Sequence, residues 1–189
     1  MEDRFSPRKL AMLGMMAALV FAGNFARIVM PVAIGGTTAF TLANIFCCLS
    51  GLLLGPLGGL AAGLGSALYD LTNPVYASEC WITFLTKGAL GLAAGLAVWP
   101  GLRKDHLGYP LALTGSVVGC AAYYVLYFAK TYFYNGILLG GLAPQAALAL
   151  LPLKVPASLF NAAVAIAAAP PLALTIRAAL RQSGIKTAF

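Results

Sequence analysis

Six ionisable side chains, Arg27, Asp70, Glu79, Lys87, Lys130 and Lys154, lie inside or at the edges of long apolar stretches of this chain. Each such group costs about 2.5–3.5 kcal/mol to place in hydrocarbon, so it persists where it is paired, wetted or used. The carboxylates accept from N–H groups, and the ammonium groups donate to carbonyls or acids. Aromatic rings interleave with them. Tyr123, Tyr127, Lys130 and Tyr134 stand at i, i+4, i+7 and i+11, which puts three phenols and an ammonium on one helix face. Lys154, Ser158 and Asn161 repeat that spacing, and Asn44, Tyr76 and Trp81 complete the candidates. Together they suit a pocket for a flat ring: Trp81 and Tyr127 stack, Asp70 or Glu79 accepts, Lys87, Lys130 or Lys154 donates, and Asn44 and Asn161 fix orientation.

Each residue also has a plainer reading. Asp70 and Lys87 pair with each other, Arg27 snorkels to the headgroups, the tyrosines form an interfacial belt, and Asn161 bonds across to a neighbouring helix. For Arg27 snorkelling is the better reading. For Lys87, six residues and about 9 Å past Trp81, a polar cavity is. Tyr132 and Tyr134 fit the belt; Tyr123 and Tyr127 lie deeper and fit a pocket.

Catalysis lacks parts. Cys47, Cys48, Cys80 and Cys120 show no CxxC spacing, and three of them fall inside apolar runs, where buried thiols are the ordinary outcome. His106 is the sole histidine, and no HExxH, Walker A or GxSxG motif occurs. Asp70 and Glu79 would serve an intramembrane enzyme as an acid–base pair, but nothing nearby supplies a nucleophile or metal. No catalytic residue, metal or cofactor is therefore expected.

The elements that must position these groups follow from composition. Of the chain, 61% is hydrophobic and 9% charged, mean hydropathy is +0.89, and soluble domains carry about a quarter charged residues. Lipid cannot satisfy backbone groups, and the apolar runs are too continuous for barrel strands, so helices are required. About 20 residues cross about 30 Å of hydrocarbon, and 189 residues then hold six spans and no soluble domain: 10–28, 40–54, 57–71, 81–98, 110–130 and 156–180. The second and third are short and meet at Gly55-Pro56, a tight hairpin that need not cross fully. The fold class expected is an all-α integral membrane protein, one domain over 1–189, a six-transmembrane-helix bundle with both termini cytoplasmic.

Arg4, Arg8 and Lys9 before Leu10 resemble the basic start of a signal peptide, but a retained first helix is favoured. Orientation follows from the basic loops. With the N-terminus inside, Arg4, Arg8, Lys9, Arg103, Lys104, Arg177, Arg181 and Lys186 face the cytoplasm. The acidic residues are Glu2, Asp3, Asp70, Glu79 and Asp105, of which Asp70 and Glu79 fall on the outer side with the other four basic residues. The net charge of +7 reflects that inside bias and anionic lipid rather than nucleic acid.

Small residues mark helix contacts in lipid. Gly14, Ala18, Ala22 and Ala26 form one stripe, which packs inside the bundle or against a partner; Gly55, Gly59, Gly63 and Ala67, with Gly58 and Gly65 beside them, form another, suited to internal packing. Three stretches carry a resemblance: IGGTTAFTLANIF at 34–46, LLLGPLGGLAAGLGSALYDL at 52–71 and WITFLTKG at 81–88, with KVPASLFN at 154–161 in support. In order and spacing they resemble the substrate-binding S components of energy-coupling factor (ECF) vitamin transporters, most closely the riboflavin type.

That resemblance implies a multi-pass protein of a bacterial cell membrane. Such a protein captures a vitamin at the outer face and works with a transmembrane coupling subunit and two ATPases. It implies that Gly14, Ala18 and Ala22 meet the coupling subunit. It also implies that ligand binds under the loop 30–39, with Gly35-Gly36 as a hinge. The alternative is a scaffold of the cell-shape machinery, which has no need of six ionisable groups on one side. The ligand is left open among riboflavin, pyridoxine, a thiamine-precursor pyrimidine and queuine.

Overall fold

A computed structural model describes residues 7–32 and 36–184. Glu2, Asp3, Arg4, Gly35 and Lys186, named above, lie outside the described residues. The first helix, α1 (Pro7–Phe25), begins at a proline, whose missing donor is harmless in a first turn. It stops three residues before the expected end. Arg27 and Ile28 instead open a strand, β1 (Arg27–Val32), which pairs antiparallel with β2 (Gly36–Thr41) in the register Arg27↔Thr41 to Val32↔Gly36. The segment expected as a loop is thus a hairpin, the one strand pair among the described residues in an otherwise helical protein. Ile28, Val29 and Val32 are β-branched and suit it. Gly36, assigned to a hinge, is fixed opposite Val32.

The next stretch, 43–72, is apolar throughout, but Gly55 interrupts it at φ +62°, a backbone open to glycine. The chain folds back there into α2 (Ala43–Leu54), one 3-10 turn (Gly55–Leu57) and α3 (Gly58–Thr72). Ser50 Oγ donates to the Gly58 carbonyl at 2.9 Å, and Cys47 Sγ lies 3.9 Å from Ser66 Oγ, so the arms run side by side. At 1.5 Å per residue they are about 18 and 22 Å long, short of the hydrocarbon thickness.

A 3-10 turn (Ala77–Glu79) leads into α4 (Cys80–Arg103), followed by α5 (Tyr109–Ala129). The last helix of that pair continues without a break as a π-helical segment (Lys130–Leu139). The sixth helix, α6 (Pro144–Gln182), starts twelve residues earlier than expected and carries Pro152 and Pro156 inside it. A proline does open the helix, but it is Pro144 rather than Pro156, with Ala143 at the N-cap position. By length and apolarity four helical stretches qualify as membrane spans among the described residues: 43–72, 77–103, 109–139 and 144–182; 9–25 is shorter.

Packing relies on small residues. A Cβ on Gly59 or Gly63 of α3 would meet carbonyl oxygens of α4, those of Gly88 and Phe84, at 2.8 Å, and one on Gly65 would strike the Ala17 carbonyl of α1. The second glycine stripe is therefore internal, as expected. Leu52, Leu90, Leu102, Val20 and Val98 fill the centre. Val125, Leu138 and Leu159 stand on the outside with many other large apolar side chains, the surface a lipid-facing bundle presents.

Candidate functional site

The C-terminal ends of α1 and α3, the start of α4, the end of α5 and the first half of α6 meet around a cavity of about 300 Å³. The β1–β2 hairpin adds Thr38, Ala39 and Thr41 to its wall. Among the expected site residues, Asp70, Tyr76, Glu79, Lys87, Tyr123, Tyr127, Lys130, Lys154 and Asn161 all line it. Its volume is at the lower end of the range for small-molecule sites.

Tyrosines on α5 form the spine of the wall. The rings of Tyr123 and Tyr127 stack at 5.8 Å, and each carries a cation: Lys87 Nζ lies 4.5 Å from the centre of the Tyr123 ring, and Lys154 Nζ 5.9 Å from that of Tyr127. Such contacts are attractive because a ring face is electron-rich. Tyr134, the i+11 member of the expected face, leaves it. The π-helical turn after Ala129 bonds i to i+5, so the α-helical spacing fails there. Tyr134 packs edge-to-face on Trp81 instead.

Lys87 is buried and donates to Asn44 Oδ1, while Asn44 Nδ2 donates to the Tyr124 hydroxyl at 3.2 Å. Asn44 thus sits behind the wall rather than in it, and orients Lys87. The alternative that Lys87 pairs with Asp70 does not hold: no ion pair joins them among the described residues. Asp70 is buried in the wall with no cation within 4 Å among those residues.

Two expected contacts are spent on the protein itself. Glu79 Oε2 accepts from Lys130 Nζ at 2.5 Å and its Oε1 from Asn135 Nδ2 at 2.8 Å, which ties the α3–α4 connection to α5. Asn161 Oδ1 accepts from the Thr41 amide at 2.9 Å and its Nδ2 donates to the Ala39 carbonyl at 2.7 Å. The side chain thereby bonds the edge of β2 as a neighbouring strand would, and pins the hairpin across the cavity.

A family model described as "ECF-type riboflavin transporter, S component" matches residues 4–178. The chain belongs to this family. No curated protein matches it. The family is one of transporters and not of enzymes, and it makes the chain a multi-pass membrane protein, the substrate-binding subunit that works with an ECF transporter module.

In this S component Arg27 does not snorkel. Its guanidinium lies 4.4 Å over the Tyr76 ring, lines the cavity, and keeps a buried Nε without an acceptor among the described residues. The hairpin turns Arg27 inward, which an uninterrupted helix would not have done. Trp81, in contrast, is 55% exposed and outside the cavity, so it is no stacking surface there; it stands in the first turn of α4 on the side away from the wall.

Residues missed from sequence include Asn24, Thr38, Thr41, Thr83, Thr86, Tyr124, Thr131 and Asn135. Thr83, Thr86 and Lys87 share one face of α4 by i, i+3, i+4 spacing, a signal available in the sequence. Thr38 falls in the loop 30–39 that the resemblance put over the ligand, but nothing local to Thr41 signalled a part in that cover. The small stripe of α1 lies on the outside of the bundle: Gly14, Ala18 and Ala22 are exposed, and nothing lies within 4 Å of a Cβ at Gly14. Packing inside the bundle is not its use.

Proposed function

We propose that this S component captures a vitamin or vitamin-like heteroaromatic solute at the outer face of a bacterial cell membrane. Both chain termini then lie in the cytoplasm, and a coupling subunit with two ATPases drives uptake. The observation that carries this reading is the polar, tyrosine-lined cavity of about 300 Å³ at one end of an apolar bundle. A void walled by four cations and two carboxylates is stable in a membrane protein when water or a solute fills it.

In this mechanism the solute's ring lies along Tyr123 and Tyr127, and Asp70 accepts from a ring N–H. Lys87, held at its angle by Asn44, donates to a ring carbonyl. The β1–β2 hairpin covers the solute, and release requires the two bonds of Asn161 to break. Orientation rests on the basic residues away from the cavity. Lys9, Arg103, Lys104, Arg177 and Arg181 stand at the opposite end, as cytoplasmic ends do. The exposed face of Gly14, Ala18 and Ala22 admits close backbone approach by the coupling subunit.

Native mass spectrometry of the chain released from detergent tests capture, with extraction of whatever remains bound. A stoichiometric heteroaromatic compound is expected. A preparation that carries lipid alone, and that fails to pull down ATPase subunits from the source membrane, sinks the proposal.

A further inference from the structure

The cavity wall is not charge-balanced. It holds Arg27, Lys87, Lys130 and Lys154 against Asp70 and Glu79. Glu79 contacts Lys130 and Asn135 and makes no ion pair with any other cation among the described residues. Lys87 has an amide oxygen and a ring face for company, and Arg27 a ring face. Lys154 lies 5.9 Å from the centre of the Tyr127 ring and makes no ion pair and no hydrogen bond to an oxygen among the described residues; Glu79 reaches it through space alone. It is half-buried at the cavity wall in α6, next to Ser158, which also lines the cavity.

A cation excess inside a bilayer is unfavourable until an anion arrives, and low-dielectric walls strengthen the attraction. We propose that the solute is a heteroaromatic acid, whose carboxylate or phosphate binds Lys154 while its ring lies on the Tyr123–Tyr127 column. This deepens the capture reading and rests on it. It also departs from the solute in the family's description, because riboflavin carries no acidic group. The pairing is charge-assisted, which makes it stronger than a neutral hydrogen bond in the same place.

Isothermal titration of the purified full chain against matched pairs tests this: flavin mononucleotide with riboflavin for a phosphate, nicotinate with nicotinamide for a carboxylate. The acid is expected to bind at least about tenfold tighter than its neutral partner in one pair, and the pair names the acid. Lys154→Gln should erase that preference, bringing the two members of the pair within about threefold of each other. If the neutral member binds as well or better in every pair, or if Lys154→Gln keeps the preference, this inference is overturned and capture stands. If none of the four binds, the inference is overturned, and the compound recovered by native mass spectrometry decides capture separately.

Discussion

The two ends of the bundle use the same kinds of charged residue to opposite effect. At the end away from the cavity, Asp105 in the α4–α5 turn accepts from Arg177 Nη2 at 2.6 Å and lies 3.0 Å from Arg181 Nη2, both on α6. Its carbonyl also accepts from Arg181. Carboxylate and guanidinium are in contact, and they stitch a turn to a helix. At the cavity end one carboxylate, Glu79, is tied in that way, whereas Arg27, Lys87, Lys154 and Asp70 are held apart across a void. The difference lies in the supports. A hairpin separates α1 from α2, and a π-helical segment follows α5, so the side chains that face each other do not meet. Charges in contact tie elements to one another; charges kept apart in a low-dielectric wall are left able to interact with a ligand of opposite sign.

Substitutions at the two ends should therefore separate binding from stability. The largest effect is expected for Lys87→Met. It removes a buried donor from the cavity and should lower solute affinity about 100-fold, near 2.7 kcal/mol, with little loss of thermal stability. Equilibrium binding and a melting curve on the same preparation measure both, and unchanged affinity would place the solute elsewhere. Asp105→Asn should do the reverse. Asparagine tolerates the positive φ of 49° at that position, but the buried Arg177 loses its carboxylate. The cost is about 1–2 kcal/mol, below that of a fully buried pair because Asp105 is 44% exposed. Binding should stay within about twofold, since the sites are distant.

Next in size is Asn161→Leu, which frees the Ala39 carbonyl and the Thr41 amide. Hydrogen exchange at residues 38–41 should speed up, and the solute's dissociation rate should rise about tenfold, the equivalent of one or two lost hydrogen bonds. Exchange that is unchanged would mean the hairpin is held by other contacts. Gly14→Leu should have no effect on the isolated chain, because its Cβ would meet nothing. Its consequence is reserved for assembly: pull-down of the coupling subunit should fail, and normal pull-down would rule that face out as the docking surface.

Much of the cavity wall was legible because its chemistry is expensive. An ionisable residue in a run of leucines and alanines cannot be incidental, so Asp70, Lys87, Lys130 and Lys154 announced themselves one by one. Tyr123 and Tyr127 followed from helical spacing alone, which holds as far as Ala129. Where regular periodicity ends, so does the inference: the π-helical turn takes Tyr134 off the Tyr123–Tyr127 face, in keeping with its place in the belt, whereas Trp81, expected to stack on the ligand, faces outward. Arg27 was misread as snorkelling because the hairpin that turns it inward has no helical signature. Asn161 and Glu79 were found as polar residues, but their bonding partners lie 120 and 56 residues away, at Thr41 and Asn135.

Apolar length, the placement of basic residues and the family's motifs are local properties of the chain, so membrane residence, helical class and family could be read without coordinates. Which polar groups satisfy one another and which are left facing a void is a property of distances between helices. Those distances are set by Gly55, by glycine contacts between α3 and its neighbours, and by a hairpin pinned to α6. Only the packed bundle decides them, because hydrogen bonds and ion pairs depend on separations of a few ångströms that no spacing along one helix encodes.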